Sequence, residues 1–487
     1  MILRTSIKMH FMVRRFIFLI IAFAFSIAMY SQVSNTLYFM DRVPQSNQLN
    51  PAYQPNFDLY VGIPMLSSIQ FNIGNNSLRL NDIVFYNSQV NSMITVLDSL
   101  ADKNKFINTL KPQNTFYTNL QTDLLSFGFR AKDMYFTFNL SLKGDMNISY
   151  PKDLVRVLLN GIDTTSSYDF KQIGLNSSLY TELALGVSKP WNDNLTLGGK
   201  IKFISGILDV NSNNQKLALT SSVDKSSGNF LLNVNSNATI NAYLPFVTVK
   251  NNKEGNIDSI KTNDPFKNYS PFNSLGLGFD FGATYSGIDQ FVLSASLLDL
   301  GFIRWSKYVY NFKMNGNYTF SGVGNIDFLH GDSLTNLGSK ITDSISNAFK
   351  FKQQNSAYST SLPTKLILAG EYFPEKFFSL GLLSISQYYN SEFYEQITVS
   401  GNFRPLKMLM LSASYSILNN GFSNFGLGLS LRFAPVNIFF VSDNIPFKLG
   451  NMSMPVPYEA MSFNFRFGLN LLFGVDKKYN DKPYIWE

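Results

Sequence analysis

Between Ser462 and Gly474 the chain reads SFNFRFGLNLLFG, with polar and apolar side chains alternating without a lapse from Ser462 to Leu471. Successive side chains of a strand point to opposite faces, so such a segment has one apolar face and one polar face. The pattern recurs. From Asp133 to Tyr150, Met134, Phe136, Phe138 and Leu140 alternate with Thr137, Asn139 and Ser141. Leu195 to Ile207, Leu277 to Tyr285, Leu409 to Ile417 and Phe425 to Phe433 behave likewise, and Asn419-Asn420-Gly421 between the last two reads as a hairpin turn.

Strand length decides which solvent meets the apolar face. Strands of soluble domains run about 5–6 residues, whereas a tilted membrane-crossing strand needs about 9–11. Many of these runs reach the longer class. In lipid an unpaired backbone group is too costly, so the sheet has to close on itself. The expectation is an all-β, transmembrane antiparallel barrel of about 14 strands over residues 57–474, with lipid outside and Ser, Asn, Gly and Lys lining the lumen. Turns are expected at Ser286-Gly287-Ile288-Asp289 and Arg404-Pro405-Leu406-Lys407. The Asn-rich stretches from Asn211 to Asn241 and Asn251 to Asn273 read as strand extensions and loops.

Two stretches depart from period two. Ile83, Tyr86, Val90, Met93, Leu97 and Leu100 follow helical spacing within residues 82–110, as do Leu334, Leu337, Ile341, Ile345 and Phe349 within 333–350. Residues 32–56 contain Pro44, Pro51 and Pro55 and show no strand period. They read as an irregular, plug-like segment entering the barrel or crossing one end. Ahead of them, Arg4, Lys8, Arg14 and Arg15 precede an uncharged apolar run from Phe16 to Met29. This is the form of a signal peptide over residues 1–31, cut near Ser31, with Met9 and Met12 as alternative starts. A retained anchor is disfavoured because a spanning helix needs about 20 apolar residues. Residues 475–487 form a tail. Expected location is the bacterial outer membrane, in contact with its lipid.

Composition bears mainly on exclusions. Four of the 40 basic residues lie in the presequence, leaving 36 against 33 acidic ones and no basic cluster, so nucleic-acid binding is set aside. The absence of cysteine leaves no disulfides and, with two histidines, argues against a zinc site. No cofactor or nucleotide site is read. Gly276-Leu277-Gly278-Phe279-Asp280-Phe281-Gly282 lies within a strand pattern and lacks dinucleotide spacing; its glycines read as small lumen positions. His330, in His330-Gly331-Asp332-Ser333, is the remaining histidine and the slender basis for a hydrolase. No enzyme is expected. Arg42, Asp280, Arg304, Arg432 and Arg466 are the candidate lumen charges.

Leu37-Tyr38-Phe39-Met40, Leu49-Asn50-Pro51-Ala52, Leu362-Pro363-Thr364-Lys365 and Phe465-Arg466-Phe467-Gly468 resemble an uncharacterised family of exported bacterial barrels catalogued as a domain of unknown function. More distantly, Asn50-Pro51-Ala52 and Asp299-Leu300-Gly301-Phe302-Ile303-Arg304-Trp305 resemble the long-chain fatty-acid transporter barrels. That likeness implies an N-terminal plug, with Asn50 and Pro51 in it, and passage of hydrophobic molecules. A related branch is an accessory barrel in protein secretion. Two functions are therefore expected in competition. One is passive binding or transport of a hydrophobic or amphipathic small molecule, the plug shifting to open a gap. The other is a structural barrel docking a protein partner through its helices and loops.

Overall fold

The structure is a computed structural model that describes residues 34–474, apart from 164, 224–229, 252–256, 263, 265–268, 322–351, 390–391, 419–420 and 446–461. The presequence, His330, the helical pattern at 333–350 and the tail at 475–487 lie outside the described residues.

Fourteen strands among the described residues form one closed antiparallel barrel. They are β1 (Leu59–Gly62 and Ile69–Asn75), β2 (Gln113–Ala131), β3 (Met134–Pro151), β4 (Gly174–Pro190) and β5 (Leu195–Val223), followed by β6 (Ser274–Ile288) and β7 (Phe291–Trp305). Then come β8 (Thr364–Glu375), β9 (Phe378–Tyr389), β10 (Glu392–Leu406), β11 (Leu409–Leu418), β12 (Gly421–Phe433), β13 (Val436–Ser442) and β14 (Ser462–Phe473). Each pairs with the next, and β14 returns to β1 through Leu59↔Phe473 and Phe71↔Phe465. Closure satisfies the edges that lipid would penalise. No helix among the described residues is long and apolar enough to cross a membrane.

The alternation sorts the two faces as expected. On β14, Asn464, Arg466 and Asn470 are buried inside, while Phe463, Phe465 and Phe467 point outward. Phe281, Leu382 and Leu427 on the outer wall are each more than half exposed. A polar interior and an apolar exterior invert a soluble protein's core and suit a lipid surround.

Short turns gather at one end: Lys132-Asp133, Asp289-Gln290, Lys376-Phe377, Lys407-Met408 and Ala434-Pro435. Two of these begin at the last residue of the turns expected at Ser286–Asp289 and Arg404–Lys407 and end one residue past them, because the strands run further than their apolar alternation does. At the other end β5 continues past its pairing with β6, and its upper half pairs instead with Phe230–Tyr243, extending the wall through the Asn-rich stretch.

The helix expected over 82–110 is corrected. Leu80–Ile83 and Lys103–Thr109 are short helices, α2 and α3 after α1 (Asn35–Tyr38), and between them Val84–Asn87 pairs with Ser92–Thr95 as a hairpin. Tyr86 and Met93 are cross-strand partners, so their seven-residue separation imitates two helical turns. An additional helix, α4 (Lys152–Asn160), packs against α3.

Candidate functional site

The prolines and short helical turns of residues 34–57 leave backbone groups that no strand partner can satisfy. The lumen wall satisfies them. The Thr36 N–H and hydroxyl both donate to Asp443 Oδ1, at 2.7 and 2.6 Å. The Gln45 amide donates to Ser67 O at 2.8 Å and Asn470 Oδ1 at 2.9 Å. Ser296 donates to Leu49 O at 2.7 Å, and Lys200 Nζ to Asn47 O at 2.7 Å. Apolar burial adds to these bonds. Leu37, Phe39, Met40, Val43 and Leu49 pack against Ile367, Leu383, Met410 and Phe439, inward-facing apolar residues on β8, β9, β11 and β13. The segment therefore runs through the barrel interior, touching both halves of the wall.

Asn50 and Pro51 sit in a notch. Gly198 on β5 and Gly282 on β6 are direct cross-strand partners. A Cβ at Gly198 would lie 2.2 Å from Pro51 O, and one at Gly282 would lie 2.3 Å from Asn50 Oδ1 and 2.8 Å from Ala52 N. The wall is stripped of side chains where the backbone of Asn50-Pro51-Ala52 approaches it. Asn50 Oδ1 accepts the Ala52 N–H at 3.0 Å, closing a local turn. Gly198→Ala is expected to displace these residues at a cost of about 1–3 kcal/mol. Gly199→Ala, whose Cβ would meet its nearest neighbour at 3.6 Å, is expected to be near neutral. Urea titration of the two variants tests this, and equal behaviour would remove the notch.

The other lumen candidates fall into separate groups. Arg42 caps the short-turn end, donating to Leu406 O and, at 3.0 Å, to Leu409 O. Arg432 is half-buried near it, on the inward parity of Ser430. Arg466 is buried, donating from Nε to Ser68 at 2.8 Å and from Nη2 to Gln48, whose amide donates to Asp123 at 2.8 Å. Asp280 is buried with Lys202 Nζ at 2.7 Å. Arg304 is a correction: it is exposed and shares the outward parity of Leu300 and Phe302, so it is not a lumen residue.

Asp280 leads to a cluster that no single-strand pattern discloses. Lys202 Nζ also lies 2.5 Å from Asp299 and 4.0 Å from Glu182. Asp299 accepts from Lys365 at 2.8 Å, and Glu182 from Lys143 at 2.8 Å. Six strands, β3 to β8, contribute one residue each, and each would look ordinary alone. A cavity of about 130 Å³ is lined by this cluster together with Lys200, Arg466, Gln48 and Leu49. Nearer the short turns a second cavity, about 160 Å³, is lined by Tyr38, Phe39, Asn50, Tyr53, Phe373 and Arg404 among others. Leu49 faces the first and Asn50 the second, so the docked segment stands between them.

A closed barrel with an apolar outer wall and a docked segment dividing its interior defines a membrane-type β-barrel. The chain belongs to the family of unknown function DUF5723, whose description matches residues 51–443. No curated protein matches the sequence. Among solved structures it is similar to the toluene transporter TbuX of Ralstonia pickettii, at 7% identity, 89% of this chain, 94% of that one and TM-score 0.38. A Pseudomonas aeruginosa FadL homologue gives 11%, 91%, 96% and 0.38. The Pseudomonas putida toluene transporter TodX gives 9%, 92%, 98% and 0.36. Similarity at this level says nothing of cargo.

Proposed function

We propose that the protein is an outer-membrane barrel that passively binds or passes a hydrophobic or amphipathic small molecule, with residues 34–57 as its plug. The observation that carries this reading is the docked segment between two lumen cavities. Short turns face the periplasm in outer-membrane barrels, so the Tyr38- and Phe373-lined cavity would be the periplasmic one. In the docked state the segment occupies the path, and passage requires it to shift. Two of the three solved structures named above, TbuX and TodX, are described as toluene transporters, and that description assigns no cargo to this chain.

A second reading is a scaffold that docks a protein partner. Tyr86, Val90, Met93, Leu97 and Leu100 favour it, being exposed apolar side chains on the hairpin and turns beyond β1. Mass spectrometry of proteins and lipids on the native barrel, gently extracted from its membrane, separates the two. The expected result is a reproducible apolar or amphipathic ligand without a stoichiometric protein. A stoichiometric partner without an enriched small molecule would overturn the carrier reading.

A further inference from the structure

The 130 Å³ cavity is close to the size that, lined by Leu, Ile and Phe, stays dry and takes up benzene. Here the lining reverses the preference. Its wall carries five basic and four acidic side chains, a setting that an aromatic hydrocarbon cannot solvate. Most of these charges are held in ion pairs, yet among the described residues Lys200 makes no direct one and Glu182, though paired with Lys143, keeps one oxygen without a hydrogen bond. Lys200 donates to the Asn47 carbonyl at 2.7 Å, and among the described residues no carboxylate oxygen lies within 4.0 Å of its Nζ. Glu182 is 4% exposed; Oε1 is taken by Lys143, with Lys202 at 4.0 Å, and Oε2 is buried without a hydrogen-bond partner among the described residues.

Lys200 and Glu182 project from the same face of neighbouring strands. Gly186 is opposite Lys200, which sets Glu182 four residues along the sheet, while Asp280, the cross-strand partner of Lys200, acts on it more strongly than Glu182 does. The wall thus offers, on one cavity, an ammonium whose facing carboxylate, Asp280, is already bonded to Lys202, and a carboxylate oxygen with no hydrogen bond among the described residues. A ligand bearing one charge would satisfy one of them and leave the other. We propose that this cavity binds a zwitterionic group, its ammonium donating to Glu182 Oε2 and its phosphate or carboxylate held by Lys200. The volume suits a headgroup or a small free zwitterion rather than a whole lipid. This assignment goes beyond the carrier reading and does not depend on transport.

The test is titration calorimetry on the full barrel in amphipol, with four probes of stated chemistry. These are lysophosphatidylethanolamine, lysophosphatidylcholine, free phosphoethanolamine and toluene. A charged hydrogen bond is worth about 1.5–3 kcal/mol, so the primary ammonium is expected to bind about tenfold or more tightly than the quaternary one. Glu182→Gln is expected to erase that preference, and Lys200→Met to weaken both phosphate-bearing lipids about tenfold. Equal binding of the two lysolipids by the unaltered barrel would overturn the proposal without recourse to any variant. So would unchanged affinity in Lys200→Met, or heat from toluene alone. Free phosphoethanolamine binding as well as its lipid identifies a small zwitterion, and weaker binding identifies a lipid headgroup; both support the shared chemistry. Uptake of an apolar dye into proteoliposomes is measured in parallel. Dye uptake without zwitterion binding sinks this site and keeps the carrier reading, and the reverse does the opposite.

Discussion

Replacing Lys202 with methionine is expected to lower the barrel's stability by about 3–5 kcal/mol. Its ammonium lies 2.7 Å from Asp280 and 2.5 Å from Asp299, both buried. Removing it leaves two carboxylates close together away from water, with Lys365 compensating only Asp299. Methionine keeps most of the stem volume, so the loss reports charge rather than packing. Urea titration of the barrel refolded in lipid vesicles, followed by tryptophan fluorescence, measures it. Lys202→Met combined with Asp280→Asn is expected to recover much of the loss, because the isolated charge is then gone. A single substitution costing less than about 1 kcal/mol, or a double variant no better than the single, would remove Lys202 as the centre of the cluster.

The way this cluster forms shows what a linear reading can reach. Period two placed Lys200, Lys202 and Asp280 on the polar face, and the barrel's closure made that face a lumen. It could not show that Lys202 stands beside Ala184 or that Asp280 faces Lys200, because register between strands is set by distant partners. Glu182, Asp299 and Lys365 went unnoticed for that reason. Arg404 went unnoticed as an interior residue because a Pro follows it in what reads as a turn. Arg304 was misplaced by its neighbours: Leu300 and Phe302 continue the outward parity to the strand's end, and an arginine there can reach water. The plug contacts are less legible still. Thr36 meets Asp443 across 407 positions and Asn50 meets Thr284 across 234, and nothing local marks either pair. The hairpin at Val84–Thr95 imitated a helix because one of its cross-strand pairs, Tyr86 and Met93, is seven residues apart.

Arg404→Met is expected to loosen the docked segment without opening the barrel ring. Arg404 Nε donates to Asp41 at 3.0 Å and Nη2 to the Phe39 carbonyl at 3.3 Å, both on the segment. Nη1 donates to Ser379 at 2.8 Å and Nη2 also to Glu371 at 3.0 Å, both on the wall, and the guanidinium lies over the Phe373 ring. One side chain therefore ties segment to wall, and its fork is why lysine should not replace it. Losing it strands the buried Glu371 carboxylate and frees Asp41 to water, a penalty of about 3–5 kcal/mol that falls on docking. The closed backbone ladder does not pass through these bonds, so the ring should survive. Leu37, Phe39, Met40, Val43 and Leu49 remain buried against the wall, each worth about 1.5–3 kcal/mol, so the segment should loosen near Phe39–Arg42 rather than leave. Limited proteolysis of folded barrels should cut the variant within residues 34–57 at least about tenfold faster than the unaltered chain, by the size of that penalty. Dye permeability of proteoliposomes should rise as well, with deletion of Ser34 to Pro55 setting the upper limit. If the deletion leaves a folded barrel of unchanged permeability, the segment is not a gate. If Arg404→Met resists protease as the parent does, the anchor lies elsewhere.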